Sequence, residues 1–165
     1  MMRLLPRLTG NQAGSSAAEM AMVLPLLLVL LFGTFDLGYY FLSEHVVQKS
    51  VRDAARYAGR LPMTDFPSCA PTTAAETQIQ RIARTGQPDG NTQRLFGWSS
   101  DTMTTVTMTC DTSGTYTGLF TDFPSGVPII TVSASVPYPT LFGRIGLGSA
   151  TLTLNAQSQS AVFGA

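Results

Sequence analysis

Residues 20–42 read MAMVLPLLLVLLFGTFDLGYYFL, and this stretch decides the fold. From Met20 to Phe35 sixteen residues carry no charge, and after Asp36 the apolar character resumes as far as Leu42. A run of this length and composition reads as one membrane-spanning helix. Sixteen residues alone fall short of about 30 Å of hydrocarbon, so the span draws on flanking residues between Ala17 and Leu42. Two acids, Glu19 and Asp36, lie in that range. Their separation corresponds to about 26 Å of helix, which puts them near opposite interfaces. Tyr39, Tyr40 and Phe41 then fall at the second interface, where aromatic belts belong. Pro25 is tolerable in a membrane helix and predicts a kink close to its start. Asp36 reads as an interfacial acid snorkelling among headgroups in preference to an intersubunit contact.

Working outward toward the C-terminus, the helical pattern continues past the membrane. Val47, Val51, Ala54, Ala55 and Ala58 recur every three or four residues, while Glu44, Lys49, Arg52, Asp53, Arg56 and Arg60 occupy the other faces, an amphipathic arrangement. Gly59 and Pro62 stop it, with Gly near the C-terminal cap and Pro just beyond. One rod of about 40 residues, roughly 60 Å long, follows from the rise per residue.

Outward in the other direction lies a short polar leader. Gly14-Ser15-Ser16-Ala17-Ala18-Glu19-Met20 resembles the processing site of type IV prepilins, in which a prepilin peptidase cuts after Gly and a Glu stands fifth in the mature chain. Here Ser15 would become the first residue and Glu19 the fifth. Together with LPLLLVLLFGTFDLGYY and its late acid, the helix end VRDAARYAGR and the stretch VSASVPYPTLFG, this junction resembles the TadE-like family of the tight-adherence (Tad, or Flp) pilus apparatus. Met20 departs from the aromatic residue usual after the Glu. The resemblance implies a minor pilin or pseudopilin-like structural component that supports pilus biogenesis and adhesion. Its implied partners are the prepilin peptidase, other Tad/Flp components including a second minor pilin, and the lipid bilayer. It implies a single-pass protein of the bacterial inner membrane, or of the pilus itself, with a pilin-like fold.

The physical reading of Glu19 stands beside that resemblance. A carboxylate in a membrane helix costs about 2.5 to 3.5 kcal/mol at the bilayer centre and less near an interface, so a cationic partner is needed. Cleavage after Gly14 would supply one, the α-amino group of Ser15, in the same subunit or an assembled neighbour. The alternative is an acid in the first helical turn, favourable to the macrodipole. Topology carries a conflict. The junction needs the N-terminus in the cytoplasm, yet two Arg precede the span and Lys49, Arg52, Arg56 and Arg60 follow it, so the positive-inside count favours the inverse.

Three regions result: a leader over 1–14, a transmembrane and amphipathic helix over 15–60, and an extracytoplasmic domain over 61–165. In the last, Thr73-Ala74-Ala75-Glu76 has a capping-box pattern and Ile79, Ile82 and Ala83 follow at helical spacing before Gly86, predicting a short helix over Thr73 to Arg84. Alternation of Thr with Val106, Met108 and Cys110 predicts a half-buried strand over Met103 to Cys110. Val127 to Val136 and Ala150 to Val162 are further strands, separated by Pro137-Tyr138-Pro139 and the Gly-rich turn Gly143 to Gly148. Trp98 and Phe96 read as packing residues. The fold class is α+β, a small antiparallel sheet with one short helix packed on the exposed half of the long helix.

Cys69 and Cys110, the only two cysteines, lack the clustering that metal ligation or a CxxC site requires. They read as a disulfide, with two buried thiols as the alternative. His45, the sole histidine, has no partner at ligand spacing and reads as solvated surface. Gly143-Arg144-Ile145-Gly146-Leu147-Gly148 lacks the following helix of a phosphate loop. Ten basic residues balance ten acidic ones, only 12% of the 165 residues are charged and 44% are apolar, which excludes a disordered polyelectrolyte and argues against nucleic-acid binding. Neither a cofactor nor a metal is expected, and an enzyme is not. Besides the structural assembly protein, two classes stay open: an unprocessed single-pass anchor whose domain binds an envelope partner, and an anchored enzyme whose site is assembled from distant residues.

Overall fold

A computed structural model describes residues 13–111, 126–144, 146 and 152–164. The order of elements is a long helix α1 (Ala13–Ala58), two 3-10 turns (Met63–Asp65 and Pro67–Cys69), α2 (Thr73–Thr85), a third 3-10 turn (Asp101–Met103), β1 (Thr104–Asp111), β2 (Val127–Tyr138), the short α3 (Leu141–Arg144) and β3 (Leu152–Ala161). The class is α+β, as the sequence pattern predicts. Two compact units meet between Tyr39 and Tyr40.

The first unit holds the apolar part of α1. The helix runs on through Pro25, which membrane helices accommodate because freed backbone groups can be satisfied locally. Its large side chains, from Met20 through Phe35 and Leu37 to Tyr39, are exposed.

The second unit is built on the amphipathic end of α1. Val47, Val51, Ala54, Ala55 and Ala58 are fully buried, the stripe that the 3.6-residue period places on one face. Small residues dominate it, and Ser43 and Ser50 are buried beside them, so the helix can lie close to what it packs on. Gly59, just past the helix end, is glycine for a steric reason. A Cβ there would stand 2.6 Å from Ser160 Oγ and 2.8 Å from the Ala161 carbonyl oxygen. The C-terminal strand returns to this point, the Phe163 N–H donating to the Gly59 carbonyl at 3.1 Å and Gly164 bridging to Pro62.

The sheet is an antiparallel meander in the order β1-β2-β3. Register puts Val106 opposite Val132 and Met108 opposite Ile130, then Val136 opposite Leu154 and Ala134 opposite Ala156. The even-numbered positions therefore share one face, and on it Val106, Ile130, Val132, Ala134, Val136, Tyr138 and Leu154 join the buried α1 residues in one core. The odd-numbered face carries Thr105, Thr107, Thr131, Ser133, Ser135, Asn155, Gln157 and Gln159, with Asp111 at the end of β1.

β2 extends through Pro137 and Tyr138, past the turn expected at Pro-Tyr-Pro. Proline is normally confined to sheet edges because it lacks an N–H, and β2 is central. Its two prolines sit where it has one strand neighbour. β1 pairs only as far as Ala134, beyond which Pro137 faces Thr153 of β3 alone. Pro128 faces Cys110 of β1, one residue outside the pairing with β3.

α2 follows its predicted bounds with a shifted cap. Thr72, not Thr73, is the N-cap, and its hydroxyl oxygen accepts from the Ala75 N–H at 3.3 Å. Glu76 is thus one position too late for a capping box; instead its carboxylate accepts from the Gln80 side chain. Gly86 closes the helix in the left-handed region at φ 87°, where glycine carries no Cβ penalty. Ile79, Ile82 and Ala83 fill the core. Arg84 pairs with Asp101, and Arg94 with Asp53 and the Ser50 hydroxyl, so the segment between α2 and β1 is fastened to both helices. Trp98 is completely buried, whereas Phe96 is 59% exposed, so only one of the two expected packing residues is in the core.

Candidate functional site: the apolar helix and its acidic ends

Gly14 and Ser15 lie in the first turn of α1, both exposed. One turn on, Glu19 is exposed and its carboxylate accepts from the Ser15 hydroxyl at 3.4 Å, the i,i+4 contact that helical spacing permits. The first described turn of α1 holds no acid. The structure thus brings Ser15 and Glu19 together.

Between the two acids the helix is apolar all round: Leu26, Val29, Leu30 and Phe35 are each more than half exposed. Such a surface is stable in hydrocarbon or against other apolar helices and not in water. Gly14–Ala58 is one helix long and apolar enough to cross a membrane, with none of its most apolar window buried. Gly33 and Gly38 have nothing within 4 Å of where a Cβ would be, so both stand in open surface.

At the far end Asp36 is half-buried and Tyr39 exposed. Tyr40 is half-buried, its ring edge-on to Phe41 at 5.8 Å and to Tyr138 at 5.2 Å. Tyr138 signalled nothing by periodicity, since it lies in the Pro-Tyr-Pro segment; its inward parity in β2 could have found it. His45 is exposed, in keeping with solvated surface.

The two cysteines form a disulfide, Cys69 in the second 3-10 turn and Cys110 near the end of β1. It joins the connection before α2 to the first strand. Of the Gly143–Gly148 turn, residues 145, 147 and 148 lie outside the described residues; Leu141–Arg144 forms the four-residue α3. A depression of about 390 Å³ on the sheet is lined by Met103, Thr105, Ser133, Ala134, Ser135, Asn155, Ala156 and Gln157, more apolar than polar in surface. Among the described residues, no three of His, Cys, Asp and Glu gather as metal ligands would.

Among the described residues, one helix is long and apolar enough to cross a membrane and runs on into the core helix of a small α+β domain. The family model described as TadE-like protein matches residues 14–56, so this segment, which runs from the helix N-terminal part into the buried stripe, is similar to that family. No curated protein and no solved structure matches the chain.

Proposed function

We propose that the chain is a minor pilin or pseudopilin-like structural component of a Tad/Flp pilus assembly and secretion system, supporting pilus biogenesis and adhesion. It acts by assembly and not by catalysis. The observation that carries this reading is the coincidence of the TadE-like segment with a helix whose surface changes at its midpoint, exposed and apolar before Tyr40, buried in the domain core from Val47. The N-terminus is cytoplasmic and residues 61–165 are extracytoplasmic. Prepilin peptidase removes residues 1–14, and the helix then packs with other Tad/Flp components in the bilayer and in the pilus.

Processing is expected after Gly14, which stands exposed at the helix start beside small polar residues. Intact mass or N-terminal sequencing of protein from cells making the cognate peptidase should find Ser15 first. A chain recovered only from Met1 onward would move the reading to an unprocessed anchor with an envelope-binding domain.

Glu19→Ala is expected to leave membrane insertion intact and to impair assembly. Removing the carboxylate lowers the insertion cost, by less than the about 2.5 to 3.5 kcal/mol that applies at mid-bilayer, while the amino group exposed by processing loses its counter-charge. Membrane fractionation and co-purification with pilus components would separate the two effects. Undiminished pilus formation would remove the role given to Glu19.

A further inference from the structure

The sheet has two edges, and they are finished differently. β1 is partly covered: the Gln80 side-chain amide donates to the Thr104 carbonyl at 3.0 Å, Cys110 is tied to Cys69, and Asp111 puts a charge at the strand end. β3, the other edge, has none of the features that normally blunt an edge strand. It is ten residues long and holds no charge, proline or glycine. Its register with β2 runs unbroken from Leu152 opposite Tyr138 to Ala161 opposite Ile129, without a bulge.

The ladder decides which main-chain groups of β3 are free. The Val162 N–H donates to the Pro128 carbonyl at 2.9 Å, one step beyond the Ala161–Ile129 pair. By the alternation of an antiparallel ladder, the even-numbered residues of β3 therefore bond β2, and the odd-numbered ones turn their N–H and C=O outward. Phe163 obeys the same parity, its N–H donating outward to the Gly59 carbonyl, and Gly164 bridges to Pro62. Residues 59–62 thus fill the outer side past Ala161, whose carbonyl also accepts from the Ser160 hydroxyl. Before that point Thr153, Asn155, Gln157 and Gln159 each present one N–H and one C=O outward, and among the described residues these groups have no main-chain partner.

We infer that this free edge of β3 takes an extended segment of a partner protein as a fourth strand, a mode in which main-chain bonds supply the affinity and alternate side chains the specificity. The segment that fits is about seven residues, roughly 23 Å of extended chain. On the open face it meets Thr153, Asn155, Gln157 and Gln159, all exposed and uncharged, which pair with hydroxyl and amide side chains. On the core face it meets buried Leu154 and half-buried Ala156, which suit small apolar ones. A second copy of the chain is a poorer occupant. Its β1 edge is partly covered, and β3 joined to its own copy about a two-fold axis runs antiparallel. Residues 40–58 of α1 run in the direction of β3, since Tyr40 lies against Tyr138, opposite Leu152, and Gly59 is bonded to Phe163. That pairing would reverse this helix in the second copy, whereas subunits of one assembly share a direction, a step that rests on the proposed function.

The test is residue-resolved amide hydrogen exchange on the full chain in micelles, with the blocked peptide acetyl-TVNVTVS-amide as the probe strand. In the chain alone, the amides of Asn155 and Gln157 should exchange fast and those of Ala156 and Ser158 slowly. Peptide at about 1 mM is expected to slow the outward amides about tenfold and to leave the inward ones unchanged, the effect of a ligand at about ten times its Kd. Gln157→Pro removes an N–H that β2 does not use, so the domain should stay folded and the slowing should disappear. Outward amides already slow in the chain alone would show an edge covered by the chain itself and overturn the inference. So would fast exchange that the peptide leaves unchanged, or a Gln157→Pro domain that unfolds, since its N–H would then belong to the ladder. Slowing that grows with chain concentration in the absence of peptide would put a second copy on the edge and also overturn it. None of these readings depends on processing at Gly14, so failure of the edge and failure of the pilin-like role are told apart.

Discussion

Trp98→Ala is expected to cost the domain about 3 to 5 kcal/mol, the range for emptying a large aromatic site in a core. Trp98 heads the fully buried side chains by size, in a cluster with Val47 and Val51 of α1, Ile79 of α2 and Val136 of β2. It comes from the irregular segment between α2 and β1, which is also held by buried Leu95, by the Arg94 N–H donating to the Arg84 carbonyl and by the ion pairs of Arg94 and Arg84. Those ion pairs are partly solvated and worth little on their own. Deleting the indole should therefore release the segment as well as leave a cavity. Stabilities of small domains are about 5 to 15 kcal/mol, so the loss would be a large share of the total. Phe96→Ala, at an exposed position, should stay within about 0.5 kcal/mol. Proteolysis of the domain in the micelle-solubilised full chain, over a urea series, would measure both. Equal effects at 96 and 98 would show that the buried and exposed aromatics have been assigned wrongly.

That pair of aromatics marks where the sequence stopped being legible. α1 and α2 were readable because a helix must repeat its buried residues every three or four positions, and Val47, Val51, Ala54 and Ala58, or Ile79, Ile82 and Ala83, do so. The strands were readable from alternation, Thr against Val106 and Met108 in β1 and Ser against Val132 and Ala134 in β2. No such period exists in the segment 87–101, so nothing local distinguishes Phe96 from Trp98; tertiary contact decides. The extension of β2 through Pro137 was hidden for a related reason. A proline argues against a central strand unless the neighbouring strand has already ended, and where β1 ends is a property of register, not of the residues around Pro137. The end of α1 was located correctly at Gly59, but the need for glycine there was hidden, since it comes from the return of Ser160 and Ala161 from a hundred residues away. In the candidate site, Ser15 and Glu19 were legible because both sit on one helix.

Loss of the disulfide is the other large effect, and it bears on topology. In the chain-entropy account, the separation of 41 residues between Cys69 and Cys110 corresponds to about 4 kcal/mol of stabilisation. The native turn offsets part of it. Ser68 at φ 54° and Cys69 at φ 61° both occupy the left-handed region, at a cost of roughly 1 to 2 kcal/mol for each non-glycine residue. A Cys69→Ser variant is therefore expected to lose a few kcal/mol, less than the entropic figure, and its turn should be the first segment to become protease-sensitive. The bond also discriminates between the two orientations. Disulfides persist on the oxidising side of a membrane and are rare in cytosol, whereas the four basic residues after the span, Lys49, Arg52, Arg56 and Arg60, would by count hold the domain in the cytoplasm. In the structure Arg52 and Arg56 lie on the solvent face of the domain's own core helix, about 15 to 21 Å beyond Leu42 along the axis, and Arg60 is exposed just past its end. Arg56 and Arg60 thus lie near the outer edge of the zone that the rule counts, and their weight should be correspondingly small. Thiol labelling of denatured protein taken directly from cells should find two reactive thiols only after reduction. Two free thiols before reduction would place the domain in the cytoplasm, an orientation incompatible with a pilin-like role.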